Sequence, residues 1–162
     1  RLGTRFLSTK HSRSTILDIQ NNDTKDINWQ KRIMEQHYVP FGNKFILHPR
    51  DFVLGVTLEW IKLPYDLSGY VQGRSSWGRR GLVIATAVGV HTGFSGCLTL
   101  ELTNLGEVPI AIYPGMTVCQ LFLHKVKTKI KPSDSTVFSG KSRPILGTIS
   151  LDPIAEKLSN NK

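Results

Sequence analysis

The chain has 162 residues, 40% of them apolar and 20% charged, with 21 Lys and Arg against 12 Asp and Glu for a net charge of +9. A single domain of this length buries about two-thirds of its unfolded surface, the composition excludes an intrinsically disordered chain, and no run approaches the roughly 18 apolar residues of a membrane helix. The positive balance points to polyanionic partners, whether nucleotide, nucleic acid or membrane surface, without choosing among them.

Arg1 stands where a Met would open a complete chain, and no signal-peptide pattern follows it, so a trimmed fragment or a domain of something longer is expected. Ser14 to Ile19 is a short candidate strand inside a polar stretch, Ser8 to Lys25. Asp26 to Gln36 reads as a helix with Asp26 as N-cap, stopped by Val39-Pro40. Phe45 to Leu47 and Phe52 to Leu58 are β-rich runs split by a turn, His48-Pro49-Arg50-Asp51. Ser75 to Arg80 lies between glycines and has room for about two helical turns. Leu82 to Thr86, Cys97 to Thr103, Ile110 to Tyr113 and Val118 to Val126 complete the strands. In Cys97 to Thr103, Leu98, Leu100 and Leu102 alternate with Thr99, Glu101 and Thr103, so one face is core and the other carries a carboxylate. Asn104-Leu105-Gly106 and Tyr113-Pro114-Gly115 are turns. A short terminal helix is expected over Ile154 to Leu158. Many short strands with Gly and Pro turns and little helix imply an all-β sandwich or barrel.

Cys97 and Cys119 lie inside apolar runs and read as two buried, reduced thiols in a reducing cytoplasm. Lys125, Lys127, Lys129 and Lys131 alternate with Val126, Thr128 and Ile130 and share a face at strand spacing. Lysines that solvate a strand or blunt a sheet edge explain this pattern better than a nucleic-acid stripe, since no zinc finger, basic zipper or RNA-recognition motif accompanies it.

The segment with chemistry is Gly73-Arg74-Ser75-Ser76-Trp77-Gly78-Arg79, which follows a strand and opens a short helix. Hydroxyls and backbone N–H groups at a helix start face an anion, and Arg74 adds a planar fork for phosphate oxygens. A plain Ser-Ser cap beside surface arginines would look the same. Further ordered stretches break the tie. Gly73-Arg-Ser-Ser-Trp-Gly-Arg-Arg-Gly81 resembles the G-R-S-S-L-A-R-x-G motif of the dCTP deaminase family, within the dUTPase-like superfamily. Leu47-His-Pro-Arg-Asp-Phe-Val-Leu-Gly-Val-Thr-Leu-Glu59 resembles L-H-P-G-E-x-x-L-x-x-T-L-E. Thr86-Ala87, Gly93-Phe-Ser-Gly-Cys-Leu-Thr-Leu-Glu101 and Pro114-Gly-Met-Thr-Val-Cys-Gln120 match its T-A, G-[WF]-x-G-x-x-x-L-E and P-G-M-x-[IV]-x-Q elements.

The resemblance implies a distorted β-barrel of the dUTPase-like β-clip type over residues 1–130 and a C-terminal tail or lid over 131–162. It implies a cytoplasmic homotrimer with nucleotide sites at subunit interfaces and no membrane partner. Glu101 matches the general base that activates water, and Ser75 and Arg79 its catalytic partners. Arg74, Ser76 and Gln120 match triphosphate ligands, Ala87 places the water through its backbone, and Val90, His91, Phe138 and Lys141 fall at further substrate-binding positions. Mg²⁺ is expected to ride on the triphosphate. The chemistry is coherent by itself, because one carboxylate can shuttle the protons that deamination at cytosine C4 requires. Zinc is not expected: His91 and Cys97 lack the H-x-E…P-C-x-x-C spacing, and the chain has no C-x-x-C.

The chain departs from the pattern in four places. Val90-His91-Thr92 replaces I-D-x, whose aspartate receives the sugar 3′-hydroxyl, and a neutral imidazole is no fixed anion. The strand at Thr86-Ala87-Val88-Gly89 is one residue shorter from Gly81, and Ala85 or Thr86 stands where the family has histidine. The tail Phe138-Ser-Gly-Lys-Ser-Arg-Pro144 follows K-Y-x-G-Q-x-x-P only in outline, with Lys141 and Arg143 as compensating charges. About forty residues that precede R-L-G-x-x-F in the family have no counterpart ahead of Arg1. The leading expectation is a deaminase of a cytidine nucleotide, dCTP, giving dUTP and ammonia. The alternatives are a nucleotide sensor on the same fold and a dUTPase-type diphosphatase, alone or with deamination. Nucleic-acid binding comes last.

Overall fold

The computed structural model describes residues 1–10, 32–86, 89–127 and 139–147, together with Ile154 and Lys157. In chain order the elements are β1 (Arg5–Thr9), β2 (Met34–Tyr38), β3 (Phe45–Leu47), β4 (Phe52–Lys62), β5 (Leu67–Gly73), α1 (Ser75–Gly78), β6 (Leu82–Ile84), β7 (Gly89–Val90), β8 (Ser95–Asn104), β9 (Ile110–Ile112) and β10 (Cys119–Lys125). Three sheets form, ordered β2-β1-β4-β8-β6, β10-β5-β7 and β3-β9. The all-β expectation holds: short antiparallel strands dominate, and the described residues form distorted sheets rather than one closed barrel.

The chain divides into two compact units. The first joins Arg1–Ser8 to Gln36–Ile145 and holds the core, including Leu2, Phe6, Leu47, Val53, Leu82, Leu100, Leu102, Ile112 and Val118. The second comprises Thr9–Glu35 and Leu146–Lys162. Its described residues include Lys10, whose N–H donates to the Ile33 carbonyl at 2.6 Å.

β8 is the spine of the first unit. Its residues alternate between half-buried and buried from Ser95 to Asn104, so Leu98, Leu100 and Leu102 enter the core as their spacing requires. β4 lies along one side, with Leu54 opposite Glu101, and β6 along the other, with Ile84 opposite Leu102. The β4 pairing slips between Val56, opposite Thr99, and Trp60, opposite Cys97. Such a bulge leaves ladder groups without their usual partners. The buried Thr57 hydroxyl covers the break, accepting the Leu98 N–H at 2.8 Å and donating to the Glu59 carbonyl at 2.9 Å. The threonine of the T-L-E stretch therefore has a structural task.

Several sequence expectations need adjustment. The helix placed over Asp26 to Gln36 has already ended by Met34, where β2 begins; only Arg32 and Ile33 are described as helical. Pairing beside β1 outweighs the weak helix signal there. β5 was not foreseen as a bounded strand, since its two glycines depress strand propensity. Both cysteines are free, but half-buried rather than buried. Burial still pushes both thiols up. Ser14 to Ile19, Lys129, Lys131 and most of Ile154 to Leu158 lie outside the described residues, although Ile154 and Lys157 are themselves helical. Lys125 and Lys127 are exposed, as a solvated face requires.

Arg50, in the turn before β4, is the one described non-glycine residue with positive φ, at 69°. The resembled pattern carries glycine there. A side chain in this left-handed region costs about 1–2 kcal/mol, which glycine avoids. Arg50→Gly is expected to stabilise the protein by up to about 1 kcal/mol after its extra unfolded-state entropy is counted. That gain corresponds to a rise of about 2–4 °C in thermal midpoint, readable by calorimetry.

Candidate nucleotide site

Gly73 ends β5 opposite Cys119 of β10, and the Arg74 N–H continues that ladder to the Val118 carbonyl at 3.0 Å. The chain then turns into α1: the Trp77 and Gly78 N–H groups donate to the Arg74 carbonyl at 3.0 and 3.1 Å, and the Arg79 N–H to the Ser75 carbonyl at 3.0 Å. No side chain caps this turn. The Ser75 and Ser76 hydroxyls, both exposed, are therefore uncommitted among the described residues. Arg74 is held at its outer end, where Nη1 donates to Thr117 Oγ1 at 2.8 Å. Trp77 packs against the core and donates its indole N–H to the Thr117 carbonyl at 3.1 Å. The residue replacing the pattern's leucine thus adds a polar tie. Thr117 anchors both side chains, and sequence reasoning passed over it although it lies inside the Pro114-Gly-Met-Thr-Val run. Arg80 Nη1 closes on the Ser76 carbonyl at 2.7 Å, whereas Arg79 is exposed and makes no side-chain bond among the described residues. Gln120, exposed on β10, pairs with Gln72 and so stands one residue from the Gly73–Cys119 pair that leads into the motif.

Glu101 lies on the half-buried face of β8. Its backbone is fixed on the β6 side: the Ala85 N–H donates to the Glu101 carbonyl at 2.9 Å, and the Glu101 N–H donates to Thr86 Oγ1 at 2.9 Å. Thr86 therefore aligns with Glu101 directly ahead of Ala87, which lies outside the described residues. Among the described residues the Glu101 carboxylate has no hydrogen-bonding or ionic partner. The structure brings Glu101 to Ala85 and Thr86, and Arg74 to Thr117 and the β10 strand of Gln120. These groups connect through Ile84, which packs beneath Gly73 and pairs with Leu102.

Val90 is a core residue, 5% exposed, so any contact it offers a ligand is through its backbone. His91 follows β7, is exposed, and accepts the Phe94 N–H on its carbonyl at 3.2 Å. Phe138 lies outside the described residues. Lys141 is exposed, and its segment is docked by backbone bonds: the Gly140 N–H to the Ser95 carbonyl at 2.7 Å and the Cys97 N–H to the Lys141 carbonyl at 2.9 Å. Gly96, at φ 153°, sits beneath this crossing, where a Cβ would lie 3.3 Å from the Lys141 oxygen.

The fold matches the crystal structure of 2′-deoxycytidine 5′-triphosphate deaminase from Agrobacterium tumefaciens with a TM-score of 0.64 at 19% identity, over 80% of this chain and 38% of that one. That likeness defines the class by fold. Residues 1–126 match the dCTP deaminase-like family profile, and the chain belongs to this family. It is 43% identical over 127 residues to a protein named dCTP deaminase, dUMP-forming, from Dictyoglomus turgidum, covering 78% of this chain and 62% of that protein. It is 37% identical over 158 residues to a protein of the same name from Methanobrevibacter smithii, covering 94% and 79%. A Halorubrum lacusprofundi protein named dCTP deaminase is 46% identical over 132 residues, covering 81% and 63%. The chain thus spans under two-thirds of the length of two of these relatives.

The motif ends at Gly81, with φ 92°, where a Cβ would lie 2.6 Å from the Gly106 nitrogen. A Cβ added at Gly78, on the last turn of α1, would meet nothing within 4 Å. Gly81→Ala is expected to cost about 2 kcal/mol or more, from strain and backbone clash together. Gly78→Ala is expected to gain up to about 1 kcal/mol from helix propensity. Denaturant midpoints of the two variants check this opposite pair.

Proposed function

We propose that the chain is a hydrolytic deaminase acting on dCTP, with Glu101 as the base that activates water. The observation that carries the reading is the Glu101 carboxylate: half-buried, fixed through its backbone to Ala85 and Thr86, and unpaired among the described residues of its own chain. In this reading Glu101 takes a proton from water, and the hydroxide adds to cytosine C4. The carboxyl returns that proton to N3, then takes the proton of the new C4 hydroxyl and passes it to the amino group, so that the C4–N bond breaks, ammonia leaves and a C4 carbonyl remains. Arg74, Ser76 and Gln120 bind the triphosphate, Ser75 positions the water, and Arg79 stabilises charge near the reacting centre.

Magnesium fits this reading as a companion of the ligand. Arg74, Arg79 and Arg80 repel a free cation, and the motif's serines supply neutral oxygens only. Mg²⁺ is then carried in by triphosphate oxygens, where it neutralises their charge. His91 occupies the place of the pattern's aspartate and replaces a charge-assisted acceptor for the sugar hydroxyl, so discrimination between dCTP and CTP is expected to be weaker than with aspartate.

We also propose a homotrimer with sites completed across subunit interfaces. Its support is the unpaired Glu101 together with exposed large apolar residues, among them Trp60 at 53% and Leu123 at 52% exposure. A second reading, deamination followed by diphosphate release, is favoured by the dUMP-forming names of two relatives.

Ammonia and diphosphate release measured with dCTP, CTP and dUTP decides between the two readings. Ammonia alone from dCTP supports deamination to dUTP; both products support the second reading; neither product from any of the three would remove the enzymatic proposal. Glu101→Gln is expected to lower turnover by about 10²-fold or more while nucleotide still binds. Light scattering is expected to give about three chain masses, and a fully active monomer would overturn the shared site.

A further inference from the structure

β1 and the end of β2 form one wall of a cavity of about 210 Å³, and residues 143–144 close it from the other side. All of its lining belongs to the first compact unit. Phe6, 1% exposed, joins it to the core, and Pro144 is buried. The remaining lining is polar: Arg5, Gln36, His37, Tyr38 and Arg143. Two arginines and no acidic residue are among the lining.

Those guanidiniums are poised rather than neutralised. Arg5 stacks over the Tyr38 ring at 4.4 Å, which orients its plane and leaves its edge N–H groups free to donate. Neither Arg5 nor Arg143 has a side-chain hydrogen bond or ion pair among the described residues. His37 is oriented by Ser8, with Nε2 to Oγ at 2.7 Å, and by the edge-on Phe45 ring at 5.3 Å. Two arginines of like charge at the lining of one concave space repel each other, and an oxyanion held there reverses that cost. Planar guanidinium forks match phosphate oxygens with paired hydrogen bonds. The space exceeds what a bare phosphate needs and leaves room for a small ester group beside Tyr38 and Pro144.

We propose that this cavity is a second anion site, one that binds a phosphate group supplied either by free inorganic phosphate or by a small phosphate monoester. It shares no residue with the Arg74–Arg79 motif or with Glu101, so it stands whether or not that motif binds dCTP. Arg143, offered by sequence as a compensating fork for triphosphate capture, lines this cavity instead.

The test is calorimetric titration of the full chain with inorganic phosphate and, separately, with glycerol phosphate, which has no base for a deaminase site to read. Wild type, Arg74→Gln, Arg5→Gln and Arg143→Gln are compared. Saturable binding is expected to survive Arg74→Gln and to weaken about tenfold or more in each of the other two. Tighter binding of glycerol phosphate assigns the monoester as the natural source; equal or tighter binding of inorganic phosphate assigns the free ion. Arg143 is exposed, so its variant remains informative if Arg5→Gln fails to fold. Binding that disappears in Arg74→Gln, that persists undiminished in Arg143→Gln, or that is absent from wild type at millimolar ligand overturns the proposal.

Discussion

The side chain of Asn104 holds together the parts of the first unit that carry its chemistry. It is fully buried at the end of β8 and uses its whole amide. Nδ2 donates to the Leu47 carbonyl at 3.0 Å and to the Val108 carbonyl at 2.9 Å, while Oδ1 accepts the Gly106 N–H at 2.9 Å. Its own carbonyl accepts the Arg50 N–H at 2.8 Å. Next to it the Leu105 N–H donates to the Gly81 carbonyl at 2.8 Å, which ties down the last residue of the arginine-serine motif. The end of β3, the turn before β4, the approach to β9 and the start of β6 thus converge on one residue. An aspartate there could not donate, and a leucine would leave buried carbonyls without partners, each costing about 1–3 kcal/mol.

That convergence fixes the relation between motif and carboxylate. Gly81 is anchored beside Asn104, β6 runs from Leu82 along β8, and by Ala85 the chain has reached Glu101. At the other end of the motif, Arg74 and Trp77 are pinned by Thr117. The arginine-serine turn is therefore suspended between two fixed ends. Its short helix carries no side-chain cap, and its serine hydroxyls are uncommitted among the described residues.

What the sequence made legible follows from period and from fixed backbone demands. The β8 alternation placed Leu98, Leu100, Leu102 and the face of Glu101 correctly, because a half-buried strand admits one register. The turns at Asn104-Leu105-Gly106 and His48-Pro49-Arg50-Asp51 were legible from their residue types. β1, β2 and β5 were not legible as bounded strands: β1 lies inside its sheet and buries Phe6 and Leu7 in succession, β2 is an edge strand, and β5 carries glycines, so none shows the alternation that marks a half-buried strand. The candidate site residues could be named from the motifs, but their supports could not. Thr117, Thr57 and Thr86 act by long-range hydrogen bonds, and an isolated threonine carries no signal of such a partner. Asn104 looked like an ordinary turn residue, and only burial reveals its wider work.

The docking of residues 139–141 has a further consequence. This segment meets β8 through backbone groups at Ser95 and Cys97 and through the Ser139 hydroxyl on the Ser95 carbonyl at 3.2 Å. Peptide groups are common to all residues, so at Lys141 the latch is nearly blind to side-chain identity, while Gly140, at φ 73°, holds a backbone turn that favours glycine and the length is strict. Substitution at Lys141 can retune what the tail presents without undocking it, whereas one inserted residue between Ser139 and Lys141 would slip the whole strip out of register. Evolution here is free to change the letter at Lys141, but is held to the spacing and to Gly96 and Gly140.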